Sequence, residues 1–143
     1  MPHGPAVAGI GIDLCEIDRV RQVWERHGTR FLARVFAPGE VRRTPASPAF
    51  AEHLAGLFAA KEAAMKALGT GMRGVAFREV AVAREPGGPP RLALSGRAER
   101  LARRMGVSAA HVSITHGRQT AAAVVLLLRE PPTSGPGPRG GRA

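Results

Sequence analysis

FAAKEAAMKALGTG, residues Phe58–Gly71, holds both lysines of the chain, Lys61 and Lys66; the other 19 of its 21 basic residues are arginine. Alanine, leucine and methionine are strong helix formers, and a glycine is where such a helix stops. The pattern extends back through Leu57 and Leu54, which predicts one long helix over about residues 49–68, ended by Gly69. TPASP (Thr44–Pro48) before it reads as a loop by its prolines, and GTGMRG (Gly69–Gly74) after it as a turn.

Upstream, AGIGIDL (Ala8–Leu14) alternates small and apolar residues, the period of a strand with Ile10, Ile12 and Leu14 on one face. A helix should follow over about residues 16–27, burying Ile17, Val20 and Trp24, with Gly28 near its end. FLARVF (Phe31–Phe36) reads as a short amphipathic helical piece, interrupted by Pro38-Gly39. Downstream, REVAVAR (Arg78–Arg84) and RLALSG (Arg91–Gly96) form a hairpin across EPGGPP, and GRAERLARRMG (Gly96–Gly106) forms a helix. HVSITH (His111–His116) and TAAAVVLLL (Thr120–Leu128) form a second hairpin. This order predicts an α+β fold in a single domain, residues 1–130, with a mostly antiparallel sheet packed against the long helix. PPTSGPGPRGGRA (Pro131–Ala143) is a disordered tail by composition.

With 143 residues, 44% of them hydrophobic, the chain suits one core rather than two. Its single cysteine, Cys15, cannot form an internal disulfide. The first residues lack a basic n-region, and the longest apolar run, Ala121–Leu128, is far below the roughly 20 residues that span a bilayer. A cytoplasmic location is expected. A formal net charge of +10 points to an anionic partner: nucleic acid, an acidic protein or a phosphorylated cofactor. Aromatics at 4% and the absence of tyrosine leave few platforms for stacking single strands.

Three groups of residues carry possible chemistry. Asp13, at the predicted end of the first strand, has Glu16 three positions on, the spacing of a capping box; a carboxylate there is equally placed to hold a divalent metal. Glu62 is spaced for an i,i+4 ion pair with Lys66. Flanking alanines (Ala59, Ala60, Ala63, Ala64) let something large approach that helix, and two carboxylates plus an ammonium near a Gly-Thr-Gly turn can cradle a metal-bound pyrophosphate. His111, Ser113 and Thr115 share one face of their strand, suited to a phosphate or a nucleotide edge; no G-x-S-x-G elbow accompanies the serine. No CxxC, HExxH or Walker A pattern occurs.

GIGIDLCEIDR (Gly9–Arg19), FAAKEAAMKALGTG and HVSITH, in this order and spacing, closely resemble the signature segments of holo-acyl-carrier-protein synthases, the short single-domain class of 4′-phosphopantetheinyl transferases. The likeness spans about residues 8–129. It implies transfer of the 4′-phosphopantetheine arm of coenzyme A to a serine of an apo acyl carrier protein, with release of adenosine 3′,5′-bisphosphate. It also implies magnesium as cofactor and a homotrimer with active sites at subunit boundaries. By position, Asp13 and Glu62 would bind magnesium, and Glu62 and Lys66 would be catalytic. Lys61, Lys66, Gly69, Thr70, Gly71, His111 and Ser113 would bind coenzyme A, and Arg19, Arg26 and Arg30 would face the acidic carrier. The family commonly has an arginine just before Phe-Ala-Ala-Lys-Glu; here that residue is Leu57. The alternative function is a basic nucleic-acid-binding domain with metal-dependent phosphodiesterase activity through Asp13, Glu62 and Lys66.

Overall fold

The computed structural model describes residues 6–71 and 74–131, so nearly all of the expected tail lies outside the described residues. Strand β1 (Ala6–Glu16) leads into helices α1 (Ile17–His27) and α2 (Thr29–Val35), and after a loop into the long helix α3 (Phe50–Leu68). A single 3₁₀ turn (Phe77–Glu79) precedes β2 (Val80–Arg84) and β3 (Pro90–Leu94); α4 (Gly96–Arg104), β4 (Val107–His116) and β5 (Thr120–Arg129) complete the fold. The strands form two antiparallel ladders, β1-β5-β4 and β2-β3.

Helix α3 crosses one face of the three-stranded sheet. The inner residues of β5, Ala121, Ala123, Val125 and Leu127, are all buried under it, and α3 itself buries residues on almost every side, Leu54, Ala55, Ala59, Ala60 and Ala63 completely. A helix this apolar all round has to be central. Small side chains let the sheet come close, and at Gly9 and Gly11 of β1 there are none. A Cβ at Gly9 would lie 2.0 Å from the carbonyl oxygen of Ala67, and one at Gly11 would lie 1.8 Å from that of Ala63. Contact is therefore backbone to backbone. At the other end of α3, Trp24 of α1 stands edge-on to Phe50 with centroids 5.2 Å apart.

The expected capping box at Asp13 and Glu16 does not form. β1 stays paired with β5 as far as Glu16–Thr120, which puts Asp13 inside the strand opposite Ala123. The Ile17 N–H donates to the Gln119 carbonyl at 2.9 Å, and no side chain caps α1. The hairpin loop thus supplies a partner that local sequence could not reveal.

The second ladder is fastened to α3 by charge. Lys61 is completely buried and donates to both carboxylate oxygens of buried Glu40 and to the Val80 carbonyl, each at 2.8 Å. Glu40 also accepts the N–H of Val82 at 3.1 Å and of Ala37 at 2.9 Å. Ammonium and carboxylate together serve the outer edge of β2 as a neighbouring strand would. Burial pushes the Lys61 ammonium down in pKa while the adjoining Glu40 carboxylate pushes it back up.

Gly11→Ala should destabilise the protein by about 3 kcal/mol or more, because neither backbone can yield to the new methyl. At Gly117 a Cβ meets nothing within 4 Å, so Gly117→Ala should leave urea denaturation midpoints nearly unchanged. Equal midpoints for the two variants would show that β1 and α3 are not in backbone contact.

Candidate active site

Along β1 the residues facing α3 are Gly9, Gly11, Asp13 and Cys15. The glycines draw the helix in, and Asp13 is the next inward side chain as the strand passes it. Lys66 reaches across rather than back along its own helix, donating to the Ile12 carbonyl and to Asp13 Oδ1, both at 3.0 Å. Asp13 Oδ2 is buried, and as long as Glu62 is ionised it has no donor. Glu62 stands against it, and its carboxyl is pushed up to about 7, first by burial, then by hydrogen bonding with Asp13 and by the charge of Asp13; Lys66 and Arg19 pull it down. Beneath them the Cys15 thiol is pushed up to about 11 by burial and by the charges of Glu62 and Asp13, which leaves it protonated and unreactive at neutral pH.

Two carboxylates forced together, one with an orphaned buried oxygen, make a place that favours positive charge. Among the described residues no set of three or more His, Cys, Asp or Glu could hold a metal by itself. A hard cation that keeps its waters and takes further oxygens from a phosphorylated substrate needs only one or two carboxylates, and Asp13 and Glu62 fit that requirement.

Residues 9–125 match the model of the 4′-phosphopantetheinyl transferase superfamily. The chain belongs to this superfamily. It is 51% identical to the holo-[acyl-carrier-protein] synthase of Nitratidesulfovibrio vulgaris strain Hildenborough over 85% of this chain and 98% of that one. The holo-[acyl-carrier-protein] synthase of Koribacter versatilis is 45% identical over the same shares. Among solved structures, that of the Neisseria meningitidis holo-[acyl-carrier-protein] synthase superposes with a TM-score of 0.76 at 30% identity, covering 85% of this chain and 98% of that one. The Helicobacter pylori holo-[acyl-carrier-protein] synthase, solved in complex with coenzyme A, gives 0.72 at 29% identity over 82% and 98%. A nucleic-acid-binding reading finds no support in these matches.

The transferase fold brings Asp13, Glu62 and Lys66 together and separates other residues expected beside them. Lys61, expected to bind cofactor, has all three N–H bonds committed to Glu40 and Val80 and is shut off from solvent. It is a structural cation, because residues 61 and 62 project about 100° apart around the helix. Gly69 and Gly71 take positive φ, 78° and 56°, and Gly69 ends α3 in the left-handed conformation with its N–H on the Lys66 carbonyl at 3.0 Å. With Gly74 these glycines have the G-x-G-x-x-G spacing, but they leave a helix rather than join a strand to one, so no dinucleotide fingerprint results. His111 and Ser113 pair with Leu126 and Val124 on the outer face of the sheet, across from α3 and two strands from β1. Within one chain they do not meet Asp13. Arg19, Arg26 and Arg30 are exposed, and Arg19 is near enough to Glu62 to act on its charge.

Sequence reading missed Glu40. Its only signal was isolation, as the one acid between Glu25 and Glu52 in an arginine-rich segment.

Asp13→Asn should lower the Glu62 pKa from about 7 toward the ordinary carboxylate range, since a like charge is removed. The folded state holds this proton more tightly than the unfolded one, so stability should fall as pH rises from the usual carboxylate range through 7. Carboxyl NMR titration of wild type and variant checks both the value and the direction. An unchanged Glu62 pKa in the variant would separate the two carboxylates.

Proposed function

We propose that this protein transfers the 4′-phosphopantetheine arm of coenzyme A to a serine of an apo acyl carrier protein, releasing adenosine 3′,5′-bisphosphate, with magnesium held by Asp13 and Glu62. The observation that carries this is the crowding of the Asp13 and Glu62 carboxylates beside the Lys66 ammonium, in a chain of this superfamily. Attack on a pyrophosphate demands that its charge be neutralised and its phosphorus oriented. Bound magnesium supplies that neutralisation. Lys66, half-exposed beside Asp13, offers N–H donors to the same phosphates as a compact point charge. Glu62, beside Asp13 in this cluster, is the candidate to take the serine proton. The Gly69-Thr70-Gly71 turn lies one helical turn beyond Lys66, within reach of the same ligand.

A cytoplasmic enzyme acting on a small acidic carrier accounts for the surface. Arg30 and Arg34, with Arg78, surround a groove of about 890 Å³ whose floor includes Val23 and Phe31. Basic rim and apolar floor suit an acidic amphipathic helix. Arg19 and Arg26 continue that basic face along α1. No described helix is long and apolar enough to cross a membrane. Residues 1–130 form the transferase unit in this reading, and 131–143 are an appended segment.

A homotrimer with shared sites is favoured by the outer sheet face. Ile10, Ile12 and Leu14 are each about two-thirds exposed there, beside Val124, His111 and Ser113. An apolar stripe of this kind on a strand is a subunit interface by its chemistry. Its burial would bring His111 and Ser113 of one copy toward the carboxylates of another.

The deciding assay is mass spectrometry of an apo carrier protein incubated with enzyme, coenzyme A and magnesium. Wild type should add the phosphopantetheine arm; Asp13→Asn and Lys66→Arg should lose at least about 90% of the rate while remaining folded at the assay temperature, since each alters the charge geometry at the phosphates. Normal turnover in either variant removes that residue from the chemistry. Ile12→Glu should sediment as a monomer where wild type sediments as a trimer. Co-expressed Asp13→Asn and His111→Ala chains should recover activity that neither has alone, and no recovery would put both residues in sites built from single chains.

A further inference from the structure

The buried Lys61–Glu40 pair explains the fastening of β2, but fastening alone does not require charge. Replacing a buried ion pair by well-packed apolar side chains is often neutral or stabilising. What the pair does beyond packing is fix the path of the chain immediately after Glu40. Glu40 is pinned by Lys61, by the Ala37 N–H and by the Val82 N–H. Two residues on, the Arg42 N–H donates to His53 Nε2 of α3 at 3.0 Å, so Arg42 and Arg43 are laid over the helix. There they line a groove of about 610 Å³ with Arg84 of β2, His116 of β4 and apolar Leu57 and Ile114. Three arginines from two segments converge on it, and both segments are tied to the same carboxylate. Two acids, Glu40 and Glu52, line the groove as well; Glu40 is neutralised by Lys61, and Glu52 lies 3.8 Å from His116.

We propose that Lys61 and Glu40 are positioning residues for substrate binding: the pair sets Arg42, Arg43 and Arg84 at a spacing that holds a phosphate group of the substrate against Leu57 and Ile114. This rests on the phosphopantetheinyl transfer reading for the identity of that substrate. Arg42 and Arg43 reach the groove from the loop before α3, with the Arg42 N–H held on His53. The crowding of cations is visible in His53, whose pKa is lowered by burial and then by Arg43, Arg42 and Arg84. Lys61 and Glu62 thus point from adjacent positions of one helix to two parts of the binding problem.

The test is the double variant Glu40→Leu/Lys61→Met, which removes both charges and keeps apolar volume. The expected result is a folded protein with a lowered melting temperature, since the Val82 and Ala37 N–H groups and the Val80 carbonyl lose their partners, with kcat within about twofold and KM for coenzyme A raised about tenfold, the effect of losing one charge-assisted contact to a phosphate. The His53 pKa, followed by NMR, should rise toward the ordinary histidine value as the arginines disperse. An unchanged KM and unchanged His53 titration in the folded variant would overturn the proposal and leave the pair a purely structural fastening. Should the double variant fail to fold, Arg42→Ala/Arg43→Ala decides, since it leaves the pair intact and must reproduce the higher KM; a wild-type KM there also overturns it. Inorganic phosphate binding by calorimetry without magnesium, weaker in the variants than in wild type, reads the groove without turnover. If wild type itself transfers nothing from coenzyme A, the reading of function fails, and the phosphate and His53 measurements still judge the positioning role.

Discussion

The contact between the backbone of β1 and the backbone of α3 governs this molecule. The Ala63 and Ala67 carbonyls occupy the space that side chains at Gly11 and Gly9 would fill, so strand and helix meet closer than any pair of side chains allows. Everything at the carboxylate cluster follows. Asp13 is carried to the helix surface at the level of Glu62, and Lys66 can cross from one element to the other. A strand held a side chain's width further out would leave Asp13 solvated and Lys66 too short to reach the Ile12 carbonyl.

Adjacent residues of α3 then show two treatments of charge. At Lys61 every donor has a partner and the opposite charge lies at 2.8 Å, a closed arrangement that takes no ligand. At Glu62 like charges are pressed together, one oxygen of Asp13 is left without a partner, and the carboxyl pKa rises to about 7. The first arrangement is complete as folded. The second is incomplete, and a cation with a phosphate ligand is what would complete it. Fold and site are distinguished here by whether electrostatics are satisfied within the chain.

The sheet makes a similar distinction between its faces. Its inner face is small and closely packed against α3, with Ala121, Ala123 and Val125 almost wholly buried. Its outer face carries Ile10, Ile12 and Leu14 uncovered beside His111 and Ser113. Alternation along β1 therefore places the larger apolar residues away from the core of the single chain, the reverse of what a solvated antiparallel sheet would show. An uncovered apolar face of this kind suits burial against another protein surface, which is what the proposed trimer would provide.

The sequence by itself determined the elements and singled out the residues of the cluster. Period-two alternation at Ala8–Leu14 and at His111–Leu128, helix-forming composition through Leu68, and a glycine stop at Gly69 are local signals, and each element formed within a few residues of its expected place. Asp13, Glu62 and Lys66 were legible because three separated segments together resemble one family. Only the tertiary structure decided which neighbour each charge meets. Asp13 lost its expected cap role to the Gln119 carbonyl, Lys66 chose β1 over Glu62, and Lys61 found Glu40, 21 residues away in sequence. Those choices depend on distances across elements that do not touch in sequence. They were settled by how closely a glycine strand lets a helix approach, which no local pattern records.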